Sequence, residues 1–275
     1  MNIEIKNSVK DQYGNSKNNI FLAFSDDGSY LGSSYVYPNM NHCQIEEIPY
    51  LIFIDINLEE NMDKLLKDKV KQELFDKAFF RANEIRKERP DLNARIYSGF
   101  EYNMDNMKFY TRNSFEEDYS IIMEANINED FKYTLPKEVE VIQMNLEVEE
   151  ELIEYRQMYD EIFISPLNMD RFIEQSKEEC FKNLYFLVDG KRCGGCTIFK
   201  NDDLGYIETI YVLPEARGKG IAKIILNYIF NYFLVNGLKK TKLEVWELNK
   251  LAVRLYKSFG YKEEEKSLMF PGKNL

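Results

Sequence analysis

The sequence predicts an α/β fold made of two copies of one structural unit. Apolar residues alternate with polar ones in several short stretches, as in strands, and longer stretches between them have helical spacing. Stretches 24–37 and 187–199 each predict two strands joined by a tight turn. They share an aspartate and two glycines in the same order, Asp27, Gly28 and Gly32 in the first and Asp189, Gly190 and Gly194 in the second. Landmarks repeated in one order indicate a duplicated unit.

A second pair of matching stretches, 102–115 and 248–261, supports the duplication. In each, an asparagine is followed by two aromatic residues at equal spacing, which are Asn103, Tyr110 and Phe115 in the first and Asn249, Tyr256 and Tyr261 in the second. Between the landmarks each half carries an apolar strand, 50–56 or 206–212, and then a helix. We therefore expect two domains, residues 1–135 and 136–275, with a boundary near Pro136.

The composition narrows the functional classes. The chain has 275 residues, of which 44% are hydrophobic, and this is enough for a folded core. The formal net charge of −11 argues against nucleic acid as a partner and favours a cationic small molecule or peptide. The N-terminus lacks the basic start and apolar core of a signal peptide, and no apolar stretch approaches the ~18 residues of a membrane span. We expect a cytoplasmic protein with no membrane partner.

Cysteine and histidine, which often carry redox, metal or acid–base chemistry, are sparse, with four cysteines and one histidine in the chain. Cys193 and Cys196 form a C-x-x-C pair, but the surrounding sequence predicts a β-hairpin, and residues three apart on a strand point to opposite faces. No second pair completes a zinc site, so we expect no metal. His42, the single histidine, lies in a polar stretch without a nucleophile motif, which argues against a serine or cysteine hydrolase.

A glycine loop follows a strand in the second half. The run 206–212 has the alternation of a strand, and 221–235 has the apolar spacing of a buried helix. Gly218 and Gly220 stand between them, beside Arg217 and Lys219. Glycine lets a ligand approach the backbone closely, and the first N–H groups of a helix lie at its positive end. We predict an anion site formed by backbone N–H groups of residues 217–222.

Two charged stretches predict helices with a solvated face. In the acidic stretch 146–163, Tyr155 and Tyr159 lie on one face, where they could line an acceptor pocket. The lysines from Lys64 to Lys77 have the spacing of the solvated face of a first-half helix and do not indicate a binding patch.

These motifs resemble those of the GNAT superfamily of N-acyltransferases over roughly residues 140–270. The family signature, an Arg or Gln followed by Gly and then by Gly or Ala, matches Arg217, Gly220 and Ala222. The stretch 249–261 is similar to the family's second motif, an asparagine and a tyrosine flanking a short helix that ends in a glycine and an aromatic residue. The resemblance implies two GNAT-like units, each a mixed, mostly antiparallel sheet flanked by helices.

The resemblance implies acetyl-coenzyme A (acetyl-CoA) as the acyl donor and a primary amine of a small molecule or peptide as the acceptor. In the family two neighbouring strands splay apart, and the pantetheine arm pairs with the freed edge of the first. That edge would be Ile210, Tyr211 and Val212, with 242–246 as the partner strand. The pyrophosphate would bind at the loop, to Arg217, Gly218, Lys219, Gly220, Ile221 and Ala222.

The resemblance also assigns roles near the reacting atoms. Glu208 matches a carboxylate that acts as base, usually through water, and Tyr256 matches a tyrosine that protonates or hydrogen-bonds the departing thiolate. Asn249 resembles the residue that bonds the pantetheine arm. Each has a structural alternative: a surface strand position for Glu208, a core aromatic for Tyr256 and a helix cap for Asn249.

The first half lacks the glycine loop. No glycine occurs between Gly32 and Gly99, and Glu59, Glu60 and Asp63 occupy the segment that would face the pyrophosphate. Side chains there obstruct a phosphate, and carboxylates repel it. We predict one acetyl-CoA per chain and a degenerate first copy that walls the acceptor cleft.

Two other functions fit the same residues. A non-catalytic, acetyl-CoA-binding regulator would keep the loop, and only turnover separates it from an enzyme. Aminoacyl transferases that act on cell-wall precursors also pair such units, but they generally lack the glycine loop. Polyamines, aminoglycosides, amino acids and peptide N-termini all suit an acidic protein as acceptors, and the oligomeric state is left open.

Overall fold

A computed structural model describes residues 2–163 and 166–275 of the chain. The strands are β1 (Ile3–Asn7), β2 (Ile20–Ser25), β3 (Tyr30–Met40), β4 (Tyr50–Leu58), β5 (Ala94–Tyr97), β6 (Phe100–Glu101), β7 (Tyr119–Asn126), β8 (Val139–Gln143), β9 (Lys182–Val188), β10 (Lys191–Asn201), β11 (Leu204–Val212), β12 (Lys240–Trp246), β13 (Lys262–Met269) and β14 (Gly272–Asn274). The α-helices are α1 (Lys64–Lys87), α2 (Met104–Arg112), α3 (Glu149–Ile162), α4 (Met169–Gln175), α5 (Ile221–Val235) and α6 (Lys250–Ser258).

The chain forms two compact units that are not continuous in sequence. Unit 1 comprises Met1–His42, Glu46–Tyr119 and Leu268–Leu275. Unit 2 comprises Cys43–Ile45 and Ser120–Ser267. Nearly all of β7 therefore belongs to unit 2, and β14 belongs to unit 1. The predicted boundary near Pro136 concerns the two copies of the repeat and stays a prediction.

Unit 1 is a six-stranded mixed sheet in the order β1-β2-β3-β4-β5-β14. β4 and β5 are parallel, and the other neighbours are antiparallel. α1 buries Val70, Leu74 and Ala78 in a cluster with Ile52 and Ile54 of β4. The helical spacing of the first three and the alternation of the other two place all five in one apolar layer.

Unit 2 has its strands in the order β13-β7-β12-β11-β10-β9-β8. β11 and β12 are parallel, whereas β7–β12, β10–β11, β9–β10 and β8–β9 are antiparallel. On β9, Leu184 and Phe186 pack in the cluster that holds the apolar residues of α5, and Tyr185 packs with Tyr155 of α3. Successive side chains of a strand point to opposite faces, so α5 and α3 cover opposite faces of this sheet.

The two predicted hairpins match in their pairing. In each, the second glycine pairs with the last residue of the following strand, and an extra residue just before that glycine shifts the register. The pairs are Gly32 with Leu58 and Gly194 with Val212, and the extra residues are Leu31 and Cys193. The aligned glycines therefore hold equivalent places in two copies of one hairpin.

The helices α2 and α6 also match. Asn103 accepts a hydrogen bond from Asn106 N at 3.0 Å, and Asn249 caps α6 in the same way. Tyr110 and Phe115 have ring centroids 5.6 Å apart, and the equivalent rings near α6 are 5.7 Å apart. The prediction of two related units, each a mixed and mostly antiparallel sheet flanked by helices, is confirmed.

The C-x-x-C pair differs from its prediction in one respect. Cys193 and Cys196 are free and lie on β10 of the predicted hairpin, but they pack against the same core cluster. The prediction of opposite faces was wrong, because the extra residue at Cys193 shifts the alternation of the strand. His42 is exposed.

The predicted lysine-rich helix is α1, but Lys71 does not lie on its solvated face. Lys71 Nζ donates a hydrogen bond to Asn106 Oδ1 at 2.7 Å and lies 4.1 Å from the centroid of the Phe109 ring. In the described ranges 2–163 and 166–275, no helix is long and apolar enough to cross a membrane. The same residues contain no group of three acidic, cysteine or histidine side chains able to hold a metal ion.

Candidate active site

The predicted glycine loop connects β11 to α5. Gly218 and Gly220 adopt left-handed backbone angles, with φ of 74° and 78°, which glycine adopts without steric cost. A Cβ atom on either glycine would meet no atom within 4 Å, so the space above the loop is unobstructed. Arg217 anchors the loop, since its Nε donates to Val212 O at 3.5 Å and its Nη2 to Cys43 O at 3.3 Å.

The start of α5 leaves backbone donors without acceptors. Gly220 is the N-cap, and no side chain caps the helix. Within residues 2–163 and 166–275, no acceptor lies in hydrogen-bond reach of the backbone N–H groups of Gly218, Lys219, Gly220, Ile221 and Ala222. These groups lie at the positive end of the 15-residue helix. The arrangement is that of a backbone anion site.

The corresponding helix start in unit 1 is closed. Asp63 is the N-cap of α1, and its Oδ1 accepts from Leu66 N at 2.9 Å. The Asp63 carboxylate therefore pairs with a backbone N–H group at the start of α1 and offsets the positive charge of the helix end. The equivalent start of α5 has no such carboxylate. Glu59 and Glu60 are exposed in the same connection. This difference supports the prediction of a single phosphate site.

The parallel strands β11 and β12 pair over a short length and then separate, and we call the point of separation the fork. The paired residues are Gly205, Tyr206 and Ile207 with Thr241, Lys242 and Leu243. β11 continues to Val212 and β12 to Trp246, with no further pairing between them in the described part of the chain. On its other side β11 stays paired with β10 through Ile210, Tyr211 and Val212. Their edge toward β12 is open, and an open strand edge can pair with an extended ligand.

Glu208 lies at the fork. On β10, Thr197 pairs with Thr209 and Ile198 with Ile207, so Glu208 is the extra residue of a β-bulge. Bulges re-aim side chains and occur often beside active sites. The pairing of β3 with β4 has no such shift, so this bulge belongs to the second copy alone.

The Glu208 carboxylate is paired with a cation and lies among aromatic rings. Its Oε1 is 3.3 Å from Nη2 of Arg171 on α4, and the two side chains are 21% and 65% exposed. Burial raises the pKa of Tyr159 to about 12, and the Glu208 charge adds to this shift. Burial also raises the pKa of Tyr206. The charges of Glu208 and Glu244 raise this pKa further, whereas the charge of Arg171 lowers it. We call these five residues the fork cluster: Tyr159, Arg171, Tyr206, Glu208 and Glu244.

Glu244 occupies on β12 the place that Glu208 occupies on β11. Each glutamate directly follows the last paired residue of its strand, Leu243 or Ile207. Glu244 Oε1 accepts a hydrogen bond from Ser267 Oγ at 2.6 Å. Two carboxylates thus flank the fork, which favours a cationic ligand there.

Two predicted site residues lie on or next to α6. Asn249 Oδ1 accepts from Ala252 N at 3.1 Å, so the asparagine caps the helix. Tyr256 is 6% exposed, and burial raises the pKa of its phenol. A phenol with a raised pKa keeps its proton, the form that a proton donor needs. The roles of both residues toward acetyl-CoA stay predictions.

The tyrosines of α3 have different surroundings. Tyr155 is 2% exposed, and its hydroxyl lies 2.9 Å from Thr197 Oγ1, so it is a core residue and does not line a pocket. Tyr159 is half-buried and belongs to the fork cluster. The hydroxyl of Tyr211 is buried and has no partner in the described ranges.

Sequence patterns did not single out Arg171, Tyr206 or Glu244. A signal for Glu244 exists, because an apolar residue and then a glutamate occur at the same place in strands 206–212 and 242–246. Arg171 carries no comparable signal, since its importance depends on the packing of α4 near β11.

Comparison with known proteins gives these features a context. Residues 148–261 match the model of the acetyltransferase (GNAT) family. The thialysine N-epsilon-acetyltransferase of Bos taurus is 32% identical over 123 residues, which cover 40% of this chain and 72% of that protein.

Solved structures also align. A GCN5-related N-acetyltransferase from Sphaerobacter thermophilus aligns with a TM-score of 0.46 and 13% identity, covering 94% of this chain and 81% of that one. A tandem GNAT protein from the clavulanic acid biosynthesis pathway has a TM-score of 0.44 and 10% identity, with coverage of 93% and 82%. Because the family model spans the glycine loop, the fork and α6, and the bovine relative matches over most of its own length, the chain belongs to the GNAT family and is an N-acetyltransferase.

Proposed function

We propose that the protein transfers an acetyl group from acetyl-CoA to a primary amine on an alkyl side chain of a small molecule. The observation that carries this proposal is the combination, in unit 2, of unmatched N–H groups at the start of α5 with the open edge of β11. The first suits a pyrophosphate, and the second suits an extended, amide-bearing arm. Acetyl-CoA contains both.

The expected chemistry is direct attack of the amine on the thioester. An alkylammonium with a pKa near ~10 cannot attack until it loses a proton, and Glu208 accepts that proton directly or through water. The amine nitrogen then bonds to the thioester carbonyl carbon, and the carbon–sulfur bond breaks. The attacking nitrogen releases its second proton to solvent. The hydroxyl of Tyr256 donates its proton to the leaving thiolate, and the resulting phenolate regains a proton from solvent.

The charges at the fork support an amine as the acceptor. Glu208 and Glu244 flank the point where β11 and β12 separate, and the chain carries a formal net charge of −11. The bovine relative is named for acetylation at the ε nitrogen of thialysine, which is a primary amine on a side chain. We infer an acceptor amine of the same chemical kind.

Release of free thiol from acetyl-CoA, measured with the full chain and a panel of amines, tests this function. We expect thiol release that requires both protein and amine, with acetylated amine detected by mass spectrometry. Reactions without protein give the background of uncatalysed aminolysis, and reactions without amine give hydrolysis. Thiol release at background level with every primary amine would overturn the proposal.

A further inference from the structure

Arg171 occupies the position at Glu208 that an acceptor ammonium needs. Its guanidinium Nη2 is 3.3 Å from Glu208 Oε1, and its side chain is 65% exposed. The Arg171 end of the pair is exposed, so water can solvate a guanidinium that leaves, and an incoming ammonium compensates the less exposed Glu208 carboxylate. An ammonium that replaces the guanidinium at Glu208 leaves Arg171 as a second cation beside it.

The backbone under Arg171 is fixed while its side chain is exposed. Arg171 N donates to Asn168 Oδ1 at 3.0 Å at the start of α4. The next residue, Phe172, is 2% exposed, and its ring centroid lies 5.0 Å from that of Tyr155. The guanidinium can therefore leave Glu208 by side-chain rotation, without movement of the helix.

Two carboxylates in this region already have other partners. The charges of Asp160 and Arg171 both act on the pKa of Tyr159. Asp160 already accepts a hydrogen bond from Leu167 N at 2.7 Å and lies 3.9 Å from Arg156 Nε. Glu244, the other carboxylate of the fork cluster, accepts from Ser267. A carboxylate on the acceptor itself would replace the ion pair that Arg171 loses.

We propose that Arg171 is a specificity-determining residue, which selects acceptors that carry a carboxylate as well as the reacting primary amine. The acceptor class is then an amino acid with a side-chain amine, whereas a plain diamine or polyamine would place an additional cation near Arg171. A guanidinium binds a carboxylate through two parallel hydrogen bonds, which gives direction as well as charge to the selection. This inference rests on the proposed acetyl transfer.

The test uses pairs of amines that differ only in the carboxylate. Lysine is compared with cadaverine, and ornithine with putrescine, as acceptors for acetyl-CoA with the full chain. We expect kcat/KM to favour the amino acid of each pair by about tenfold or more. In Arg171→Ala this preference should disappear through a higher KM for the amino acid, while the KM for acetyl-CoA stays unchanged. Arg171→Lys should retain part of it.

Arg192→Ala is the matched control. Arg192 Nη1 lies 2.7 Å from Glu154 Oε1, and neither residue belongs to the fork cluster. Its removal should leave the preference intact. A preference for the diamines, or an unchanged ratio in Arg171→Ala, would overturn the role of Arg171 and leave acetyl transfer standing. Failure to acetylate any amine would overturn both.

Discussion

Gly220 combines two properties that its place in the loop requires. Its φ of 78° is unfavourable for other residues, and the absence of a side chain keeps the donors at the start of α5 accessible. Gly190 has a similar φ of 74° and similarly open space, but it lies in the turn between β9 and β10. A side chain at either glycine would strain the backbone, but only one at Gly220 would also obstruct a ligand at the start of α5. Substitutions at the two positions therefore distinguish the two effects.

We predict that Gly220→Val abolishes acetyl-CoA binding in a protein that still folds. A ligand at ~100 times its dissociation constant stabilises by about 2.7 kcal/mol, so the parent should show a clear rise in melting temperature and the variant none. Gly190→Val should lose similar intrinsic stability and keep the ligand-induced rise. Equal rises in parent and Gly220→Val would exclude the loop as the phosphate site.

Tyr256→Phe tests the proposed proton donor. The substitution keeps the buried ring and removes the hydroxyl, so acetyl-CoA binding should persist while kcat falls by ~10²–10⁴. Tyr110→Phe is the control, because Tyr110 is the equivalent buried residue of α2, with 3% exposure, in the copy without the loop. Undiminished turnover in Tyr256→Phe would leave the tyrosine as a core residue only.

Glu208→Gln tests the proposed base. Without the carboxylate, solvent must deprotonate more of the amine, so the pH profile of kcat/KM should shift to higher pH. Glu154→Gln, an exposed carboxylate of α3 that pairs with Arg192, should leave the profile unchanged. An unshifted profile for Glu208→Gln would remove Glu208 from the mechanism.

The candidate site was predictable where its residues are close in sequence. The glycines between a strand and a helix indicate residues 217–222. The spacing of Asn249 and Tyr256 across one short helix indicates those two residues. Arg171 and Glu244 were missed because their relation to Glu208 arises only when β11, β12 and α4 have packed. The bulge at Glu208 likewise needs the partner strand to be defined.

Among the secondary-structure elements, those with strong local signals were predicted best. The predicted strand end at Val212 and the predicted helix 221–235 agree with β11 and α5, because glycines punctuate the connection and the helix is apolar on several sides. α1 shows the limit of periodicity: the spacing gives the helix, but it does not show that Lys71 faces α2.

Burial at the contact of α1 with α2 lowers the pKa of Lys71 to about 8. Between this value and the usual pKa of a lysine, ~10.4, the unfolded chain binds more protons than the folded chain, so stability increases as the pH rises through that interval. Lys71→Met removes the buried charge. We expect the variant to be more stable than the parent at pH 7, by about 1 kcal/mol after allowance for solvent screening, with the advantage declining toward pH 10.

Urea unfolding of both proteins at several pH values measures this difference. Lys77→Met, on the solvated face of the same helix, is the control and should show no such pH dependence. A difference between Lys71→Met and the parent that stays constant from pH 7 to pH 10 would show that Lys71 does not titrate in this range.

For the whole molecule, we predict one acetyl-CoA per chain. Asp63 closes the start of α1, whereas the start of α5 has no side-chain cap. Isothermal titration should give a stoichiometry near one, and a value near two would contradict a degenerate first copy. Full activity from residues 136–275 alone would contradict the prediction that the first half acts as a scaffold, because that fragment lacks β7, which lies between β12 and β13.

Unit 1 is completed only when its last segment, Leu268–Leu275, has been synthesised. β14 closes the edge of β5, and Gly272 leaves room for the buried Arg95, whose Nη1 donates to Asn274 Oδ1 at 2.8 Å. A ribosome that adds ~5–20 residues per second needs on the order of ten seconds to pass from Tyr119 to Gly272. We expect the nascent chain to present the bare edge of β5 throughout that interval. On a crowded polysome, this edge is where a chaperone would be needed or where a neighbouring nascent chain would pair by mistake.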